Sequence, residues 1–127
     1  PNSFTVDLGQ KAKFSRIKVN QLSHNDAWIF AGGAPKEFEI YGSNNPSPDG
    51  SWDNWTLLGK FESVKPSGRP LGTLTSEDVA VGKAGEDFNF PIANPAFRYI
   101  RFKTYKTWGG NPNVHISELT VWGQPVQ

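Results

Sequence analysis

Apolar and polar residues alternate along most of this chain. Phe4-Thr5-Val6-Asp7-Leu8 sets Phe4, Val6 and Leu8 on one side, the period of a strand with one buried face. Gly9-Gln10 ends that segment in this reading. A second run follows from Phe14 to Asn20, with Ile17 and Val19 inward and Arg16 and Lys18 outward. Lys36 to Gly42 repeats the pattern with Phe38 and Ile40 inward. Trp55 to Phe61 reads as a strand with Trp55 in its core. Phe88 to Ile92 reads as another, and Pro91 marks its edge position or its end. Two late segments, 97–105 and 115–123, are the richest in aromatic and β-branched residues. In the first, Ile100 and Phe102 share one face, and Phe97, Tyr99 and Arg101 the other. Both faces carry apolar atoms, as in a strand covered on both sides.

One helix interrupts the strands. Ser76-Glu77-Asp78 supplies a capping residue and two carboxylates ahead of Val79-Ala80-Val81, which predicts a short helix near 76–84, closed by Gly82 or Gly85. Loops fill the rest. Asn44-Asn45-Pro46-Ser47-Pro48-Asp49-Gly50 is dense in turn residues, and 106–113 is too long for a tight hairpin. Short strands with one helix and long loops predict an all-β antiparallel sandwich.

With 127 residues the chain is read as a single domain, and its 13 glycines and 10 prolines agree with many turns. Thirteen basic against 12 acidic residues leave a net charge of +1, which gives no electrostatic reason for a nucleic-acid partner. The absence of cysteine excludes disulfides and thiolate chemistry. The two histidines, His24 and His115, lack zinc-type spacing, and no nucleophile-elbow or phosphate-loop pattern occurs. Asp26, Asp49, Asp53, Glu86 and Asp87 sit where turns collect carboxylates, so they read as solvated turn residues and not as a glycosidase pair. Asn54-Trp55-Thr56 is a glycosylation sequon that matters only in a eukaryotic secretory route. No catalytic role is assigned.

Phe97-Arg98-Tyr99-Ile100-Arg101 and Ile116-Ser117-Glu118-Leu119 through Gly123 resemble the closing strands of the discoidin family, or coagulation-factor type C domain. Phe4 to Gly9 is similar to that family's early strand, Phe38 to Asn44 to its central one, and Trp55 to Gly59 to the next. The family includes the family 32 carbohydrate-binding modules and has a galactose-binding-like fold. The closest likeness is to a domain of uncharacterised surface lipoproteins of Bacteroidetes polysaccharide-utilisation systems. The resemblance implies a discoidin-like jelly roll over 1–127, a C-terminal fragment of a larger protein with neighbouring domains, on a bacterial outer surface or secreted. It departs at the start, where the family's N-terminal strand and calcium loop are missing. Glu118 matches a family carboxylate that helps hold structural calcium. A structural calcium is therefore expected only in the intact parent protein, and the site here is expected to be incomplete. No other cofactor is implied.

A sugar offers an apolar C–H face and a ring of hydroxyls, so its binder needs an aromatic platform and fixed polar groups. Two loops carry that mixture. The stretch 21–35 offers His24, Asn25, Asp26, Trp28 and Phe30, and 106–113 offers Lys106, Trp108, Asn111 and Asn113. In the resembled family, loops at one end of the sandwich bind ligand, and these two occupy comparable places. Trp108 in particular, ahead of Gly109-Gly110, is expected at a loop crest as a stacking platform. The alternative for each of Trp28, Phe30 and Trp108 is that it packs under its own loop. A non-catalytic glycan-binding module is the expected function. The rivals are a phospholipid-binding module that inserts Trp28-Ile29-Phe30 and a protein-docking module. Arg98 and Arg101 are assigned to structure, paired with loop carboxylates or carbonyls.

Overall fold

The computed structural model of the chain describes residues 2–91 and 95–126. Its strands are β1 (Asn2–Asn20), β2 (Pro35–Ser43), β3 (Thr56–Glu62), β4 (Glu86–Asn89), β5 (Phe97–Thr107) and β6 (Glu118–Pro125), with helix α1 (Ser76–Ala84) between β3 and β4. All pairings are antiparallel. The first part of β1 pairs with β5, which continues through β2 to β3. The second part of β1 lies between β4 and β6. One strand thus serves both layers of a β-sandwich.

The predicted break at Gly9-Gln10 is therefore a bend within one strand. Its register shifts between Asp7 and Ala12. Gly9 adopts φ +80°, which a side chain disfavours, and its amide donates to Asp7 Oδ1 at 2.8 Å. The alternation lapses there, and the β1–β5 ladder resumes at Ala12 in a shifted register. Arg98 fixes the same corner, placing Nε 2.8 Å and Nη2 3.0 Å from the two oxygens of Asp7, a bidentate pair.

The core lies between the layers. Phe14, Ile17 and Val19 of β1 meet Phe38, Ile40, Ile100 and Phe102 of β2 and β5. Phe38 stacks on Phe102 with centroids 4.5 Å apart and meets Phe88 of β4 edge-on at 5.0 Å. Phe97, predicted to share a face with Arg101, is instead in the core, packed where Gly42 leaves room. The outer face of β5 is also covered, as its two apolar faces predicted. There Arg101 donates to the carbonyls of Gly50 and Ser51 and to Thr5 Oγ1, beneath Trp52 and Trp55. Trp55 itself precedes β3 and is no part of its core. The strand foreseen at 88–92 runs from Glu86 to Asn89, and Ile92 lies outside the described residues.

Helix α1 lies where it was predicted, one residue out at its start. Thr75, not Ser76, caps it, with a reciprocal pair between Thr75 and Asp78. Asp78 is buried and also accepts from the amide and hydroxyl of Ser67. It ties the helix to the loop before it, and Gly85 closes the helix.

Candidate functional site

Two loops meet at one end of the sandwich: 21–34, from β1 to β2, and 108–117, from β5 to β6. They approach backbone to backbone. Gly109 donates to the Gly32 carbonyl at 3.0 Å, His115 to the Gly33 carbonyl at 2.9 Å, and Trp108 to the Ala34 carbonyl at 2.9 Å. Only glycine permits this approach. A methyl on Gly33 would lie 2.1 Å from the Asn113 carbonyl oxygen and 3.0 Å from His115 Nδ1, and one on Gly109 would lie 2.1 Å from the Gly32 nitrogen.

Above this floor is a concave depression of about 400 Å³, walled by Trp28 from the first loop and by Asn111 and His115 from the second. Trp28 is 44% exposed, and the His24 ring meets it edge-on at 4.1 Å. Asn111 Oδ1 accepts the Asn113 amide at 2.9 Å, which orients the side chain and commits its oxygen. The amide NH2 of Asn111 has no hydrogen-bond acceptor among the described residues. A half-exposed indole face, amide donors and an imidazole thus share one hollow. No carboxylate or lysine lines it.

Helix α1 buttresses the first loop. Ile29 packs against Gly82, where a methyl would come within 2.3 Å of Ile29 Cγ2. Lys83 pairs with Asp26 at 3.5 Å. A 3-10 turn, Asp26–Trp28, is capped by Asn25, whose Oδ1 accepts the Ala27 amide at 3.0 Å.

The structure thus divides the predicted residues. Trp28 and Asn111 line the hollow, and His24 supports Trp28. Asn25 and Asp26 shape the loop. Asn113 is exposed and contributes its backbone. Phe30 is not available to a ligand: it is 1% exposed, at φ +48°, its amide held by Gln21 Oε1 at 2.7 Å. Trp108 does not stand at a loop crest. It is half-buried, packs against Phe30 with centroids 5.3 Å apart, and lies under Lys36 Nζ at 4.7 Å. Its Nε1 donates to Ser63 Oγ at 3.0 Å, and Ser63 in turn donates to Glu86 at 2.5 Å. Burial pushes the Glu86 carboxyl up. The packing alternative holds for Phe30 and Trp108, whose rings pack against each other. His115, which the sequence presents only as a possible metal ligand, joins the hollow. Its place two residues beyond the predicted loop was the available signal.

Glu118 is exposed and begins β6, opposite Asn20. Calcium takes roughly 6–8 oxygen ligands. Among the described residues no three His, Cys, Asp or Glu side chains gather where they could hold a metal ion, at Glu118 or elsewhere.

A family model described as a domain of unknown function matches residues 1–123. No curated protein matches the chain. Among solved structures, a SusE-like protein superposes with a TM-score of 0.95 at 42% identity over 99% of this chain. The match spans 48% of that protein, so the chain covers about half its length. CBM32-3, from a family 31 glycoside hydrolase of Clostridium perfringens, superposes with a TM-score of 0.67 at 20% identity, over 96% of this chain and 66% of that one. A putative chitobiase fragment from Bacteroides thetaiotaomicron gives 0.58 at 19% identity, over 98% and 62%. These last two share the fold, a discoidin-like sandwich.

Proposed function

We propose that this chain, which belongs to the DUF5000 family, a domain of unknown function, is a non-catalytic carbohydrate-binding module of a bacterial surface protein. The observation that carries this is the hollow itself: the exposed Trp28 ring beside the Asn111 amide and the His115 imidazole, on a floor of interlocked glycines. A pyranose can lay its C–H face on the indole and turn its hydroxyls to the two polar side chains. Backbone hydrogen bonds between the two loops hold this floor, which keeps the ordering cost of binding low. With no charged residue in its walls, the hollow suits a neutral sugar.

The likeness to a SusE-like protein supports a place among the outer-surface lipoproteins of Bacteroidetes polysaccharide utilisation. That this chain spans 48% of that protein supports reading it as one domain of a longer polypeptide. No helix among the described residues is long and apolar enough to cross a membrane. Phospholipid insertion loses its basis. Of Trp28-Ile29-Phe30 only Trp28 is exposed, since Ile29 and Phe30 are each 1% accessible.

The test is a glycan array probed with the domain, beside liposome sedimentation. Expected are array hits among neutral glycans, weakened by Asn111→Ala and by His115→Ala, and no sedimentation with vesicles. An array without hits, or hits indifferent to both substitutions, contradicts the reading.

A further inference from the structure

The outer face of the β2–β5 sheet carries a second cluster, whose rings, Trp52 and Tyr105, do not line the apical hollow. Lys103 rises from β5 with its Nζ 4.8 Å from the centroid of Trp52 and 5.0 Å from that of Tyr105. The two rings therefore lie within about 10 Å of each other, bridged by one ammonium. Both are exposed, Trp52 by 40% and Tyr105 by 47%. Arg101, two residues along the same face, also lies under Trp52, at 4.6 Å. Tyr41 also meets that indole, with centroids 4.8 Å apart, and the residue is still exposed.

The charges do not balance. Glu39, directly opposite Lys103 in the register, is buried and fully engaged: it accepts from the hydroxyls of Tyr105 and Tyr41 and pairs with Lys60 at 3.6 Å. Arg101 is satisfied by carbonyls and a threonine hydroxyl, not by a carboxylate. Among the described residues neither Arg101 nor Lys103 has an acidic partner within salt-bridge distance. The patch therefore holds two cations with no carboxylate at salt-bridge distance, framed by exposed aromatic rings.

We infer that this sheet face is a second saccharide site, and that it takes an acidic sugar, with the anionic group on Lys103 and the pyranose face on Trp52 or Tyr105. A ring that stacks on an aromatic while its carboxylate or sulfate meets an ammonium gains a charge-assisted hydrogen bond that a neutral sugar cannot make. Lys103 is held in place by the two rings on either side, so it is already oriented for that contact. Carboxylate and sulfate share this chemistry, and the test separates them.

Calorimetry is run on the domain with tetragalacturonic acid and its carboxyl-reduced counterpart, and with a sulfated galactan tetrasaccharide and its desulfated form. At least one acidic tetrasaccharide should bind, more weakly as salt rises. The arm that binds identifies the anion. Lys103→Gln should weaken that binding by about tenfold while the melting temperature holds, the size of one hydrogen bond to a charged group. Trp28→Ala should leave it intact, which keeps this site separate from the apical one. Failure of both acidic tetrasaccharides to bind overturns the inference. So does acidic-sugar binding that Lys103→Gln spares and Trp28→Ala abolishes.

Discussion

Trp28 and Trp108 sit on adjacent loops with opposite exposures, and their variants should separate. Trp28→Ala should cost roughly 1–3 kcal/mol of glycan affinity, as for other aromatic stacking platforms, with the melting temperature unchanged. Trp108→Ala should cost about 3 kcal/mol of stability, the low end for a packed aromatic, because it removes the contact with Phe30 and the bond to Ser63. Thermal melts and calorimetry on both variants check this, and a reversed pattern would return the platform to Trp108. Asp78 makes a separate test. Burial alone would raise its carboxyl, but bonds from Ser67 and Thr75 outweigh that and hold it down at about 2, against an ordinary 3.8. A depressed carboxylate stabilises the fold above its unfolded value and loses that contribution as pH falls through its folded one. The chain should therefore lose stability between pH 3.8 and about 2, and Asp78→Ala should flatten that slope while lowering the melting temperature at neutral pH. An unchanged acid limb in the variant would show that other carboxylates carry it. At this scale the sequence was legible for composition and not for direction. The first loop plainly held a Trp and a Phe, but Phe30 is turned inward by a positive φ that its sequence does not announce.

Helix α1 is the element whose contribution to the site was least visible. Its start was readable from Ser76-Glu77-Asp78, but nothing in its own pattern shows that Gly82 faces Ile29 of the first loop. Gly82→Ala should push Ile29 outward, lower the melting temperature and weaken glycan binding together, since Trp28 adjoins Ile29. Binding preserved in a destabilised Gly82→Ala protein would mean the loop holds its shape without the helix. Strands β2 and β5 were legible because Phe38 with Ile40, and Ile100 with Phe102, keep the alternation through their centres. The continuity of β1 was not, because the bend at Gly9 interrupts the alternation and pairing with β5 resumes only at Ala12, in a shifted register. Trp55 misled for a related reason. It abuts a true strand, but Arg101 draws it onto the outer face.

For the whole molecule, layer pairing follows from where the apolar faces must go, and the predicted sandwich is observed. What the alternation could not supply is how its ends are assembled. The loops 21–34 and 108–117 are far apart in sequence, and only the glycine contacts between them bring Trp28, Asn111 and His115 together. The account stands on that assembly. Nitrogen-15 spectra of the chain should show one indole resonance for each of its five tryptophans. A neutral oligosaccharide selected on the array is then titrated in. The Trp28 resonance should shift and broaden, while those of Trp108 and Trp52 stay in place. A static Trp28 resonance, with the perturbation at Trp108 or on the sheet face, would contradict the account.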